Sequence, residues 1–208
     1  MGLVNDAFVR LKSNLEITAT EQSKASSRHT AIRDHVRSSW SLSADFLTGS
    51  YVRDTKTKKL RDVDIFLVID PEGDQAPLRK QAPPAVLEAL REVLATKWPD
   101  SQPDVFACVI PFGSEDEVMS FDAVPAFALA DGSYEIPDSI SGEWIRTNPK
   151  IHHDKTIAAN KDCAGKWVPL VKMIKGANRQ AGDPIEPSFL IEVMALSLVR
   201  GPMHSYQH

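Results

Sequence analysis

Apolar residues recur along this chain in two rhythms, one close to 3.6 residues and one of two, and their succession predicts an α+β fold. Ile32, Val36 and Trp40 fall at helical spacing within Ile17–Trp40, where Thr18 and Thr20 are cap candidates ahead of Glu21. Val86, Leu87, Leu90, Val93 and Leu94 form the apolar stripe of a second helix, Pro84–Trp98. Further helical patterns run around Lys155–Ala177 and Pro187–Val199. Strands are predicted at Asp45–Thr48, Arg61–Asp70, Asp104–Pro111 and Glu117–Val124. Ile65-Phe66-Leu67-Val68-Ile69 is apolar without alternation, as in a strand buried on both faces. Pro71–Asp74 reads as a turn, Phe112–Asp116 as a hairpin link, and Pro125 as the end of its strand. The polar, Gly- and Pro-dotted stretch from Asp131 to Lys150 predicts a connector. A mixed sheet with flanking helices would then occupy residues 1–150, and a helical lobe residues 151–208.

Composition narrows the class. Of 208 residues, 42% are hydrophobic and 25% charged, and no apolar run approaches membrane-spanning length, which predicts a soluble globular protein with no membrane partner. Met1-Gly2-Leu3-Val4-Asn5-Asp6 has no basic segment followed by an apolar one, so no signal peptide is expected and a cytoplasmic location follows. Cys108 and Cys163 lie far apart without a partner motif, which suits a reducing compartment. The net charge of −4 argues against a stable nucleic-acid partner. Arg53, Lys56, Lys58, Lys59 and Arg61 nevertheless crowd together, either as a solvated loop or as receivers of phosphate.

The chemistry-bearing stretch is Phe46-Leu47-Thr48-Gly49-Ser50-Tyr51, followed by Asp62-Val63-Asp64 at the head of the apolar run. Period two places Asp62 and Asp64 on one side of a strand. The Gly49-Ser50 turn offers backbone N–H groups and a hydroxyl, the makings of a phosphate-binding concavity. A third carboxylate, Asp122, sits in the apolar phrase Ser120-Phe121-Asp122-Ala123-Val124-Pro125. Any one of these aspartates alone reads as a surface residue at a strand end. Asp is depleted in strands, however, and three that one sheet could set side by side would repel unless neutralised. Two Mg²⁺ ions, or Mn²⁺ in their place, would do so, and a metal pair about 3.5–4 Å apart can drive in-line displacement at phosphorus. The predicted chemistry is phosphoryl or nucleotidyl transfer. No G-x-x-x-x-G-K-[ST] or G-x-G-x-x-G offers another route to nucleotides. His152-His153, His204 and His208 lack the further ligand that a metal site needs, and Trp40, Trp98, Trp144 and Trp167 read as core or interface residues.

Taken in order, these phrases and Phe121-Asp122-Ala123-Val124-Pro125-Ala126-Phe127 resemble the polymerase-beta-like nucleotidyltransferase superfamily. More narrowly they resemble the bacterial second-messenger oligonucleotide or dinucleotide synthetases, relatives of cyclic GMP-AMP synthase. Tyr134-Glu135-Ile136-Pro137-Asp138, Trp144 and Thr147-Asn148-Pro149 are also typical of that group, so the resemblance spans about residues 20 to 198. It implies an enzyme that condenses NTPs, ATP or GTP, into a cyclic di- or oligonucleotide with release of pyrophosphate. The product would activate a downstream effector in antiphage signalling. Asp62, Asp64 and Asp122 would be catalytic metal ligands, with Asp122 favouring deprotonation of the acceptor hydroxyl. Gly49 and Ser50 would contact the donor triphosphate, with Tyr51 the aromatic beside them. Lys175, which aligns better than Lys172, and Ser188 would hold the phosphates from the helical lobe. The family shows an aromatic-Asn pair after that lysine, where this chain has Gly176-Ala177-Asn178. It also continues beyond the serine-bearing helix, so a helical lobe cut short at His208 is expected. Rival readings are nucleotidyl transfer to tRNA or to a protein hydroxyl, and a nucleotide sensor without turnover.

Overall fold

The computed structural model describes residues 3–113, 116 and 118–206; Ser114 and Glu115 of the expected hairpin link, Glu117 at the head of its second strand, and the terminal His208 lie outside the described residues. In chain order the elements begin with α1 (Leu3–Leu15), α2 (Ala19–Arg37), β1 (Leu42–Leu47), α3 (Gly49–Val52) and β2 (Asp64–Ile69). A 3₁₀ turn at Ala76–Lys80 leads to α4 (Pro83–Ala95), β3 (Gln102–Pro103), β4 (Cys108–Pro111) and β5 (Ser120–Ala128). Then follow β6 (Tyr134–Pro137), β7 (Trp144–Thr147), α5 (Pro149–Asp162), α6 (Trp167–Gln180) and α7 (Phe189–Leu198).

Two compact units divide the chain. The sheet unit holds Ala19–Gly49 and Lys59–Pro149. Its strands run β1-β2-β5-β4-β3, with β6 paired to the far end of β5 and β7 to β6. β2 and β5 are parallel and all other pairs antiparallel, which makes the sheet mixed. Ile65 to Ile69 are all buried because β2 is flanked by β1 and β5 and covered on its faces, as the unbroken apolar run predicts. On α2, Ala25, Ile32 and Val36 are buried at helical spacing together with Glu21. On α4, Pro83 opens the helix and Val86, Leu87, Leu90 and Leu94 form its buried stripe.

Several elements depart from the sequence reading for local reasons. Pro125 does not end its strand: β5 continues to Ala128, and Pro125 sits in register opposite Leu67. On its other side pairing with β4 stops at Ala123 and pairing with β6 begins at Phe127, so the missing N–H interrupts no ladder there. The connector Asp131–Lys150 contains β6 and β7, each only four residues long and too short to show a period. Cys108 and Cys163 are both buried free thiols.

The helical unit gathers the described residues up to Thr18, Ser50–Lys58, and those from Lys150 onward. Its third piece starts where a lobe was expected, but the first two come from stretches assigned to the catalytic core. The reasons are visible in contacts within the unit: the Lys58 N–H donates to the Leu15 carbonyl at 2.8 Å, and the Arg179 guanidinium to the Lys58 carbonyl at 2.9 Å. Its core packs Cys163, Trp167, Val168 and Val171 against Ile191 and Ala195. The single helical pattern over Lys155–Ala177 is two helices, broken where Ala164 and Gly165 take left-handed φ of 52° and 77°. Gly176 follows from the same packing. A Cβ there would come within 2.8 Å of the Leu15 Cδ2, so α1 occupies the space beside the position where the family's aromatic is missing.

Candidate functional site

In the sheet unit, β2 and β5 bring Asp64 and Asp122 directly opposite one another in parallel register. Val63 is fully buried, and its carbonyl accepts the Asp122 N–H at 3.0 Å. Asp62 precedes β2 in extended backbone and is exposed; Val63 turns inward between it and the half-buried Asp64, which is the period-two alternation the sequence suggests. The Asp64 carbonyl accepts the Thr48 N–H at 3.0 Å, which ties the end of β1 to the start of β2. Gly49 then adopts φ +66°, and a Cβ at this position would fall on the Asp64 carboxylate. Only a residue without a side chain permits both that backbone turn and that approach. The expected Gly-Ser turn is therefore the first step of the short helix α3 rather than an open loop.

Electrostatically these aspartates form one neighbourhood. Burial first, and then the charges of Asp64, Asp62 and Asp104, push the Asp122 carboxyl up to about 7. Asp104 is the fourth carboxylate, and sequence reasoning missed it. It lies at the end of the short β3, where its N–H donates to the Ala107 carbonyl at 2.8 Å, and only the sheet order brings it near Asp122. Hard oxygen donors whose mutual repulsion a cation would relieve suit Mg²⁺ or Mn²⁺ by their chemistry. Among the described residues, no three His, Cys, Asp or Glu side chains stand gathered as a ready ligand set.

The remaining expected site residues belong to the helical unit, except that Gly49 ends the sheet unit. The Ser50 carbonyl accepts the N–H groups of Thr55 and Lys56 at 3.0 and 3.2 Å, which folds the basic segment back on itself. Lys56 lies 4.8 Å from the centre of the Tyr51 ring and 2.8 Å from Asp54. Ser188 occupies the N-cap position of α7, exposed and making no capping bond through its side chain. Lys175 is buried, and its ammonium donates to Glu192 Oε1 at 2.6 Å.

That last bond belongs to a network with no signal in the sequence. Glu192, 1% exposed on α7, also accepts from Arg53 through Nε at 2.7 Å and an Nη at 3.2 Å. These bonds hold its carboxyl below the usual range despite burial, which acts in the opposite direction. The Lys172 ammonium is likewise bonded, to Glu16 at 2.6 Å and Asp54 at 3.1 Å. Of the basic cluster, Arg53 and Lys56 are thus engaged by carboxylates. His152 stands edge-on to Phe189 at 5.0 Å, and lies outside any metal-ligand group among the described residues.

Comparison with known proteins agrees with this geometry. A family model described as the Second Messenger Oligonucleotide or Dinucleotide Synthetase domain matches residues 1–160. A cyclic AMP-AMP-AMP synthase of an Acinetobacter species is 29% identical over 185 residues, covering 83% of this chain and 51% of that protein. A probable cyclic nucleotide synthase of Bacillus cereus is 27% identical over 71% of this chain and 53% of its own length. The chain thus spans about half the length of these curated relatives. Among solved structures, the CD-NTase CdnG of Bradyrhizobium diazoefficiens in complex with GTP superposes with a TM-score of 0.76 at 16% identity, over 97% of this chain and 72% of that one. The CdnE cyclic dinucleotide synthase of Elizabethkingia meningoseptica, with GTP and Apcpp, gives 0.73 at 16% identity over 95% and 76%. At such identities these likenesses carry the fold, which is polymerase-beta-like.

Proposed function

Since the chain belongs to the second messenger oligonucleotide or dinucleotide synthetase family, we propose that it is a divalent-metal-dependent nucleotidyltransferase joining NTPs into a cyclic di- or oligonucleotide with release of pyrophosphate. The observation that carries this reading is the parallel register of Asp64 against Asp122 with Gly49 bare beside Asp64. Asp62, Asp64 and Asp122 would hold the metal, which supplies charge neutralisation and activation of an acceptor hydroxyl. Asp122, whose carboxyl burial and the neighbouring charges push up to about 7, would take or orient the proton of that hydroxyl. Gly49 and Ser50 would present backbone N–H groups to the donor phosphates. Lys175 and Ser188 would hold the phosphates from the helical unit, for which Lys175 must exchange its bond to Glu192 for one to phosphate. The product would act as a second messenger on a separate effector in antiphage defence. A cytoplasmic location, where NTPs are made and held, would suit that work.

Purified protein incubated with Mg²⁺ and mixed labelled NTPs should yield a phosphatase-resistant product and pyrophosphate, and Asp64→Ala should abolish both. Product that survives this substitution would sink the assignment. The rival reading is a nucleotide sensor without turnover. Calorimetric NTP binding without pyrophosphate release would favour it.

A further inference from the structure

We infer that Glu21 is a positioning residue for the carboxylate site, a buried clip that sets where Asp62 stands beside Asp122; the inference rests on reading those carboxylates as metal ligands. Glu21 is 1% exposed and lies in the first turn of α2, on the face that buries Ala25, Ile32 and Val36. Leucine would complete that apolar stripe. A carboxylate there carries a large desolvation penalty unless its oxygens are bonded. Glu21 Oε1 accepts two backbone N–H groups, from Lys59 at 2.7 Å and from Leu60 at 3.3 Å. Lys59 takes φ +55°, a left-handed conformation that a non-glycine residue adopts only when its surroundings hold it there. The clip therefore fixes a backbone turn immediately upstream of the aspartates.

From that turn the chain runs beside the start of β5 in one continuous register. Leu60, 1% exposed, forms a parallel bridge to Val118, and its carbonyl accepts the Met119 N–H at 2.9 Å. The Arg61 carbonyl accepts the Ser120 hydroxyl at 2.8 Å, and the Val63 carbonyl accepts the Asp122 N–H at 3.0 Å. Asp62 lies in the middle of this segment, outside β2. Leu60 and Val63 are buried while Arg61 and Asp62 between them are exposed, so a slip of this segment along β5 would carry Asp62 away from its place beside Asp122. Glu21 holds the upstream end against that slip, as the β2–β5 ladder holds the downstream end. Its effect on the carboxylates passes through the backbone of Lys59 and Leu60.

The test is Mn²⁺ binding to the whole chain without nucleotide, read from the paramagnetic resonance of free Mn²⁺, in variants whose folding is verified by circular dichroism. Glu21→Ala should weaken Mn²⁺ binding by about tenfold or more, the scale on which groups that orient metal ligands act. Glu21→Gln keeps the accepting oxygen and should restore affinity to within about threefold of wild type. Val36→Ala, a cavity on the same face of α2, should cost stability and leave Mn²⁺ affinity unchanged. Should Glu21→Ala not fold, Glu21→Asp, one methylene too short to reach both N–H groups, carries the same expectation. Wild-type affinity in the Ala or Asp variant, or an equal loss in Val36→Ala, overturns the positioning role alone. A wild type that binds no Mn²⁺, or binding that Asp64→Ala leaves intact, overturns the metal reading and the positioning role with it.

Discussion

The sheet unit and the helical unit handle buried charge in opposite ways. In the sheet unit burial, and after it the neighbouring carboxylates, push the Asp122 carboxyl up to about 7. In the helical unit Glu192, the less exposed of the two, is bonded to Arg53 and Lys175, which hold its carboxyl below the usual range. The first arrangement is strained until a cation arrives. The second is satisfied internally, and opening it leaves a charge without its partner. A site proposed to receive metal and a frame that fixes helices need these different electrostatics.

The strongest way to break this comparison is Glu192→Ala. It leaves two buried cations facing each other and should lower stability by about 3–5 kcal/mol, measured by urea denaturation. The pH dependence sharpens the same point. Glu192 has a folded pKa below its unfolded one, so its contribution is present above the ordinary value of 4.5 and is lost as pH falls through the lower folded value. Asp122 has the opposite sign. Its folded pKa of about 7 exceeds the unfolded 3.8, so the metal-free fold binds the extra proton and loses stability as pH rises between these values. Asp122→Asn should flatten that slope and stabilise the metal-free protein at pH 8, by on the order of a few kcal/mol. An unchanged slope would mean that the carboxylates do not share a field.

Gly49→Ala comes next in size. The substitution meets the Asp64 carboxylate and a φ of +66°, and should cost about 1–3 kcal/mol while displacing Asp64 and reducing turnover. Ser188→Ala should be the smallest in stability, within about 0.5 kcal/mol, because Ser188 is exposed and its side chain caps nothing. A loss of NTP affinity in this variant, without loss of stability, would identify a phosphate contact.

The sequence made legible whatever depends on local rhythm. The buried strand β2, the stripes of α2 and α4, and the alternation at Asp62-Val63-Asp64 follow from side-chain period alone. β6 and β7 escaped because four residues establish no period. α1 escaped although Val4, Phe8, Leu11 and Leu15 recur at helical spacing, a stripe legible in the sequence. Glu21, Asp104 and the Arg53–Glu192–Lys175 network were hidden for another reason. Each acts on a residue outside its own element, from 17 positions away for Lys175 and Glu192 to 139 for Arg53 and Glu192, and an isolated acidic residue on a helix looks the same whether it faces water or clips a backbone.

The helical unit is assembled from three stretches of chain, and this shapes how the protein must be made. During synthesis α1 leaves the ribosome long before α6, whose Gly176 receives Leu15. The whole sheet unit is translated in between and can fold first. Until α6 and the segment after α7 appear, Leu15 and Phe8, which come to lie beside Gly176 and Tyr206, lack these partners and are a natural target for a holdase chaperone.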